Sequence, residues 1–213
     1  MTKAQATGKP RQRAPSKRAL ATRTRVLDAA EKVFADRGFD GATIRMIATE
    51  AGEPLGTIHH HGGGKDALFR QTVARRAATL SQARLEALAR LEAPATMEAV
   101  LEAFIRPFFD LAIQEPRWRN YARLVAFVSV DDRWRALSAE CFDPTAEVFL
   151  AEIKHLAPHA TPQQTAEAFV FTVAAMLALL TSQGRISDLA GGSPAPPARI
   201  DHLVAFCAAG FTA

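Results

Sequence analysis

Cysteine is nearly missing from this chain of 213 residues: Cys141 and Cys207 are the only two. Two thiols are too few for the disulfide framework of a small secreted domain and too sparse for a zinc cluster, so a reducing, cytoplasmic setting is expected. Tyrosine occurs once and tryptophan twice. Val, Ile and Thr do not alternate with polar residues, which argues against strands, while Ala, Leu, Glu, Arg and Gln recur throughout. The longest apolar run, AFVFTVAAMLALL at 168–180, falls short of the roughly 18–20 residues of a membrane span and reads as a helix buried on most sides. No apolar segment follows the basic N-terminus, so a secretory signal is not expected and no membrane partner is implied.

Acid is absent from the first 25 residues, which carry eight basic side chains: Lys3, Lys9, Arg11, Arg13, Lys17, Arg18, Arg23 and Arg25. The whole chain has a net charge of +4, so the remainder is acidic. A basic arm on an acidic body fits a polyanionic partner, because Lys and Arg displace condensed counterions from phosphates; a solvated, unstructured tail fits it as well.

What is present is helical periodicity. Residues 1–19 have none and are expected to be a flexible arm. A first helix opens at Thr22 or Thr24, carries Val26, Leu27, Ala30, Val33 and Phe34 on one stripe, and stops at Gly38. Thr43 N-caps a second, short helix that ends at Gly52, and Pro54 starts a third, LGTIHHH, which the glycines end. Two short helices joined by a tight glycine-containing turn form a helix-turn-helix. A long helix runs from Lys65 to about Leu91. Further helices are expected at about 96–114, 117–129, 132–141, 144–157, 162–183 and 199–210. The fold class is therefore all-α, with a helix-turn-helix domain at 20–75 and a helical domain at 76–213.

The run His59-His60-His61-Gly62-Gly63-Gly64 raises metal binding and phosphate cradling. Neighbours on a helix point about 100° apart, so three consecutive imidazoles cannot converge on one ion. HGGGKD lacks the first glycine and the preceding strand of a phosphate loop. Asp131 beside Asp132, His155 near His159, and Cys141 without a histidine partner form no catalytic constellation. No enzyme, metal or cofactor is expected.

With the helices placed, residues 22–75 resemble the DNA-binding domain of the tetracycline-repressor (TetR) family. The resemblance rests on Phe34 with Arg37-Gly38-Phe39, Thr43-Ile44-Arg45-Met46-Ile47-Ala48, Ala51-Gly52, Gly56-Thr57-Ile58, His61 and Lys65-Asp66. The segment 100–183 is similar to the ligand-binding and dimerising domains of that family, including its fatty-acid and acyl-CoA responsive branches. The resemblance implies a ligand-responsive transcriptional regulator, a repressor that a small apolar effector releases from a palindromic double-stranded operator. The leading effector class is long-chain acyl compounds and the runner-up is aromatics. The rival reading is a helical interaction protein or enzyme with a degenerate helix-turn-helix.

For DNA, the resemblance implies base-edge contacts from Leu55, Gly56, Thr57 and His60, and phosphate contacts from Thr43, Arg45, His59 and Lys65, with His61 packed or capping. In the second domain Phe108, Tyr121, Phe127, Trp134 and Phe171 could line an apolar pocket or simply form core, and Asn120 and Arg123 are the polar ligand candidates. A homodimer is expected through 144–157 and 162–183 as a four-helix bundle. The family has Phe where this chain has Gly62. The missing ring implies a loosely held third helix, and Gly62→Phe is expected to stabilise it.

Overall fold

The computed structural model describes residues 16–192 and 200–211. The helices are α1 Lys17–Gly41, α2 Ile44–Ala51, α3 Leu55–Gly62, α4 Lys65–Ala89, α5 Met97–Gln114, α6 Trp118–Val130, α7 Arg135–Leu156, α8 Pro162–Thr181, α9 Gln183–Leu189 and α10 Ile200–Gly210, with one 3₁₀ turn at Asp132–Trp134 between α6 and α7. No strand occurs among the described residues, and the fold is all-α as expected.

The helix expected at 162–183 ends at Thr181 and is followed by an unexpected α9, and α1 runs on past a non-helical Gly38 to Gly41. Two further boundaries differ from the sequence reading. The arm expected at 1–19 lies outside the described residues up to 15, but Ser16 accepts the Ala19 N–H at 3.2 Å and starts α1 at Lys17. A hydroxyl in the N-cap position thus starts the helix at least five residues earlier than the Thr22 or Thr24 opening of the sequence reading. The helices expected at 132–141 and 144–157 are one helix from Arg135 onward, with Pro144 inside. Leu137, Thr145, Phe149 and Ile153 are buried at helical spacing on both sides of the proline. Pro144 and Glu140 are exposed, so the carbonyl that loses its donor faces water, and packing outweighs the break.

The apolar interior divides into two clusters. One joins Val26, Ala30 and Phe34 of α1, Ile47 of α2, Ile58 of α3 and Leu68, Phe69 and Val73 of α4 to Leu124 and Val128 of α6, Trp134, and Leu137 of α7. The other is built by α5 to α8 and α10, with Phe104, Phe108, Tyr121, Phe149, Phe169 and Met176 at its centre and Leu80 entering from α4. Helix α4 therefore runs through both. By length and composition α8 could cross a bilayer, yet it packs into the second cluster through Phe169, Thr172, Met176, Leu177 and Leu180.

Candidate nucleic-acid interface and effector domain

Local chemistry sets the geometry of the helix-turn-helix. Thr43 caps α2, its Oγ1 accepting the Met46 N–H at 3.2 Å. Gly52 ends α2 at φ 62°, a left-handed position open to glycine at little cost. Pro54 then starts α3. Ile58 and Gly62 face inward, and Ile58 is fully buried. Leu55, Gly56, His59 and His60 form the opposite, exposed stripe, with Thr57 and His61 half-buried on its flanks. Leu55 is an apolar side chain left 42% exposed at the first turn of this short helix. His59 and His60 fan outward while the His60 and His61 rings meet edge to face at 5.0 Å. Among the described residues no group of three metal-ligating side chains gathers.

The contacts around Gly62 run against the expectation of a loosely held third helix. A Cβ added there would stand 3.3 Å from both Cβ and Cδ1 of Leu68, which is fully buried. Leu68 of α4 occupies the space next to the glycine. Gln71 donates to the Gly62 carbonyl at 3.2 Å, and the Gly63 N–H bonds the His59 carbonyl at 3.0 Å. The end of α3 is held against α4 rather than loosened. Gly63 at φ 68° and Gly64 at φ 101° then turn the chain into α4.

Of the phosphate candidates, Arg45 is exposed on α2. Lys65 is partly engaged: its Nζ donates to the Asp40 carbonyl at 3.3 Å and lies 4.5 Å from the centre of the Phe39 ring. Arg133, from the turn after α6, grips the Asp40 carboxylate with two hydrogen bonds of 2.9 and 3.0 Å. That contact holds the Asp40 carboxyl below its ordinary value.

The seven effector candidates do not converge. Phe108 and Tyr121 lie together in the second core, both without exposure, and the Tyr121 hydroxyl donates to the Val73 carbonyl of α4 at 3.0 Å. Trp134 belongs to the other cluster, against Phe39 at 4.8 Å and Phe69 at 4.5 Å. Its indole is carried there because the 3₁₀ turn ends over α1 and α4, so it seals the helix-turn-helix domain instead of lining a pocket with the others. Phe127 is 43% exposed and Phe171 66% exposed. Asn120 is half-buried, and Arg123 is exposed on α6 with Nη1 3.6 Å from Asp36 of α1.

Sequence reasoning missed the buried ionic groups. Glu31 of α1, 1% exposed, accepts from Arg76 Nε at 2.6 Å and from Arg75 Nη2 at 3.2 Å. Arg76 also holds Glu115 through two bonds of 2.9 Å, while Arg75 and Arg117 share Asp28. The Arg76 contact keeps the Glu115 carboxyl below its ordinary value. These residues tie α1 and α4 to the turn between α5 and α6. Arg84 of α4 is buried in the second domain beside Phe104. A signal existed for it: Ala77, Leu80, Ala87, Leu88 and Leu91 set an apolar phase along α4 in which Arg84 falls.

Comparison with known proteins supplies the family. The profile described as bacterial regulatory proteins, tetR family, matches residues 26–72. The profile described as tetracyclin repressor-like, C-terminal domain, matches residues 102–210. The chain is 38% identical over 65 residues to the HTH-type transcriptional repressor AcnR of Corynebacterium efficiens, covering 29% of this chain and 35% of that protein. It is 36% identical over 73 residues to the HTH-type transcriptional regulator UidR of Escherichia coli K12, covering 34% of each. The matched region thus spans about a third of these curated relatives. A TetR-like regulator from Rhodococcus superposes with a TM-score of 0.65 at 18% identity, covering 94% of this chain and 97% of that one. A TetR family regulator from Marinobacter aquaeolei also gives 0.65 at 18% identity, over 91% and 97%. These structures share its fold, and the second profile alone spans half of the sequence: the chain belongs to the tetR family of bacterial regulatory proteins.

Proposed function

We propose that the protein is a cytoplasmic, homodimeric transcriptional repressor that binds a palindromic operator and is released by a small effector with a large apolar part. The observation that carries this is the outward stripe of α3. Leu55, Gly56 and His60 have little side chain or exposed side chain where a helix meets base edges, and Thr57 offers a hydroxyl and a methyl beside them. Thr43 keeps its hydroxyl proton for a phosphate after accepting from Met46, while Arg45, His59 and the remaining donors of Lys65 supply positive charge or N–H on either side. The relative AcnR is named a repressor, which supports the same sign of regulation.

Dimerisation is supported by apolar side chains left in water. Val170 and Phe171 of α8 are 62% and 66% exposed, and Phe206 of α10 is 67% exposed. Helix α10 joins α8 in this patch, whereas α7, expected as the partner element, offers only Val148 and Leu156 at its edge. A second copy covering these rings would remove them from water and set two α3 helices for a two-fold operator. Gel-shift titration with DNA from beside the protein's own gene, at stated salt, is the test. Saturable, sequence-selective binding supports the reading, and retention no tighter than that of random DNA rejects it.

A further inference from the structure

Arg84 is a buried cation without a counter-charge. Its side chain lies between α4, α5 and α8, with Nε donating to the Phe104 carbonyl at 2.9 Å and Nη2 reaching Met176 Sδ at 3.5 Å. The guanidinium carbon stands 3.7 Å from the centre of the Phe104 ring. Among the described residues it makes no ion pair, and its two hydrogen bonds go to a carbonyl and a thioether. The other buried arginine among the described residues shows the contrast, since Arg76 is held by the carboxylates of both Glu31 and Glu115. A ring face, a carbonyl and a thioether compensate a guanidinium only in part, and an apolar residue of similar volume would fill the site without that desolvation cost. Burial pushes the Arg84 pKa down to about 9, so it is still charged at neutral pH.

We propose that Arg84 is the charge anchor of the effector site, taking the carboxylate of an organic acid whose apolar part inserts beside Phe104 and Met176. A planar fork with free N–H groups matches a carboxylate through paired hydrogen bonds, and burial makes such a bond strong. A cleft of about 400 Å³ between α4 and α5 is walled by Ala83, Ala87 and Ala103, with Arg84 and Phe104 behind this wall and not in it. Its rim charges pair among themselves, Glu86 with Arg90 and Glu102 with Arg106, apart from Asp110. A ligand entering there reaches the guanidinium when α4 and α5 part, so it favours a conformation distinct from the closed one and has the differential affinity that a switch needs.

The proposal rests on the effector reading above, and its test uses no DNA, so that failure of operator binding and failure of the anchor are seen separately. The full-length protein is titrated by calorimetry and thermal melting with straight-chain carboxylates from hexanoate to hexadecanoate, benzoate and phenylacetate, each beside its primary amide. At least one carboxylate should raise the melting temperature and bind about tenfold or more tightly than its amide, the size of one charge-assisted hydrogen bond. Arg84→Met should bind acid and amide alike and melt at or above the parent, while Arg84→Lys should keep a weakened preference for the acid. If Arg84→Met does not fold, the Lys variant decides by the same comparison. No binding of any carboxylate, equal binding of acid and amide by the parent, or a preference unchanged in both variants overturns the proposal.

Discussion

Gly62 shows how one side chain can answer for another. Its missing Cβ lets Leu68 approach to a distance at which even Ala would force a shift of a few tenths of an ångström. Gly62→Phe is therefore expected to lower the melting temperature, by the equivalent of about 1–3 kcal/mol for overpacking, with differential scanning fluorimetry as the check. A higher melting temperature would mean that Leu68 can yield to a ring. The exposed carboxylates make a second prediction at this scale. Glu115, Asp40 and Asp131 are held below their ordinary values of 4.5, 3.8 and 3.8 by hydrogen bonds from Arg76 and Arg133. A depressed carboxyl contributes stability that is present above its unfolded value and lost as pH falls through the folded one. Melting temperature should hold from neutral pH down to about those ordinary values and then drop, and Glu115→Gln should make the drop shallower. A melting temperature that rises on acidification would contradict the sign.

Among the elements, α2 and α3 present the proposed reading surface and the turn after α6 packs against their domain. Arg45 stands exposed on α2 beside the outward stripe of α3. Arg45→Ala should weaken operator binding about equally across sequences and reduce the slope of log affinity against log salt by about one, since one phosphate contact is lost. Loss of discrimination between operators with an unchanged slope would place Arg45 on a base instead. The 3₁₀ turn contributes Trp134, 3% exposed between Phe39 and Phe69, and Arg133 on Asp40. Trp134→Ala should cost about 3–5 kcal/mol by urea denaturation, the range for deleting a large core aromatic. A cost below about 1 kcal/mol would show that the turn after α6 is not needed to seal the helix-turn-helix cluster.

At the scale of the molecule, the two clusters are joined by α4 and by the Glu31, Arg76 and Glu115 ion network, while Trp134 carries the turn after α6 into the helix-turn-helix cluster, so the helix-turn-helix domain is buttressed by the rest of the chain. The exposed rings of α8 and α10 lie outside both cores. Phe171→Glu should leave the subunit folded, shift light scattering toward monomer and weaken operator binding steeply, because a two-fold operator rewards two half-sites held together. An unchanged dimer would move the interface away from α8.

The all-α class and the helix-turn-helix were legible before any coordinates because they depend on local rules. Caps at Thr43 and Gly52, the stripe from Val26 to Phe34 and the proline at 54 act within a few residues of one another, and the structure places helices accordingly. Pro144 misled for the same reason: a local break was overridden by burial of Leu137 and Phe149 on either side. The neighbours of Gly62, the placement of Trp134 and the partners of Glu31, Arg76 and Arg84 were not legible. Leu68 approaches Gly62 across the α3–α4 turn, Trp134 reaches Phe69 from 65 residues away, and Arg84 meets Met176 from 92 residues away. Periodicity shows which face of a helix is buried, whereas the identity of what lies against that face depends on how helices distant in the chain are packed together.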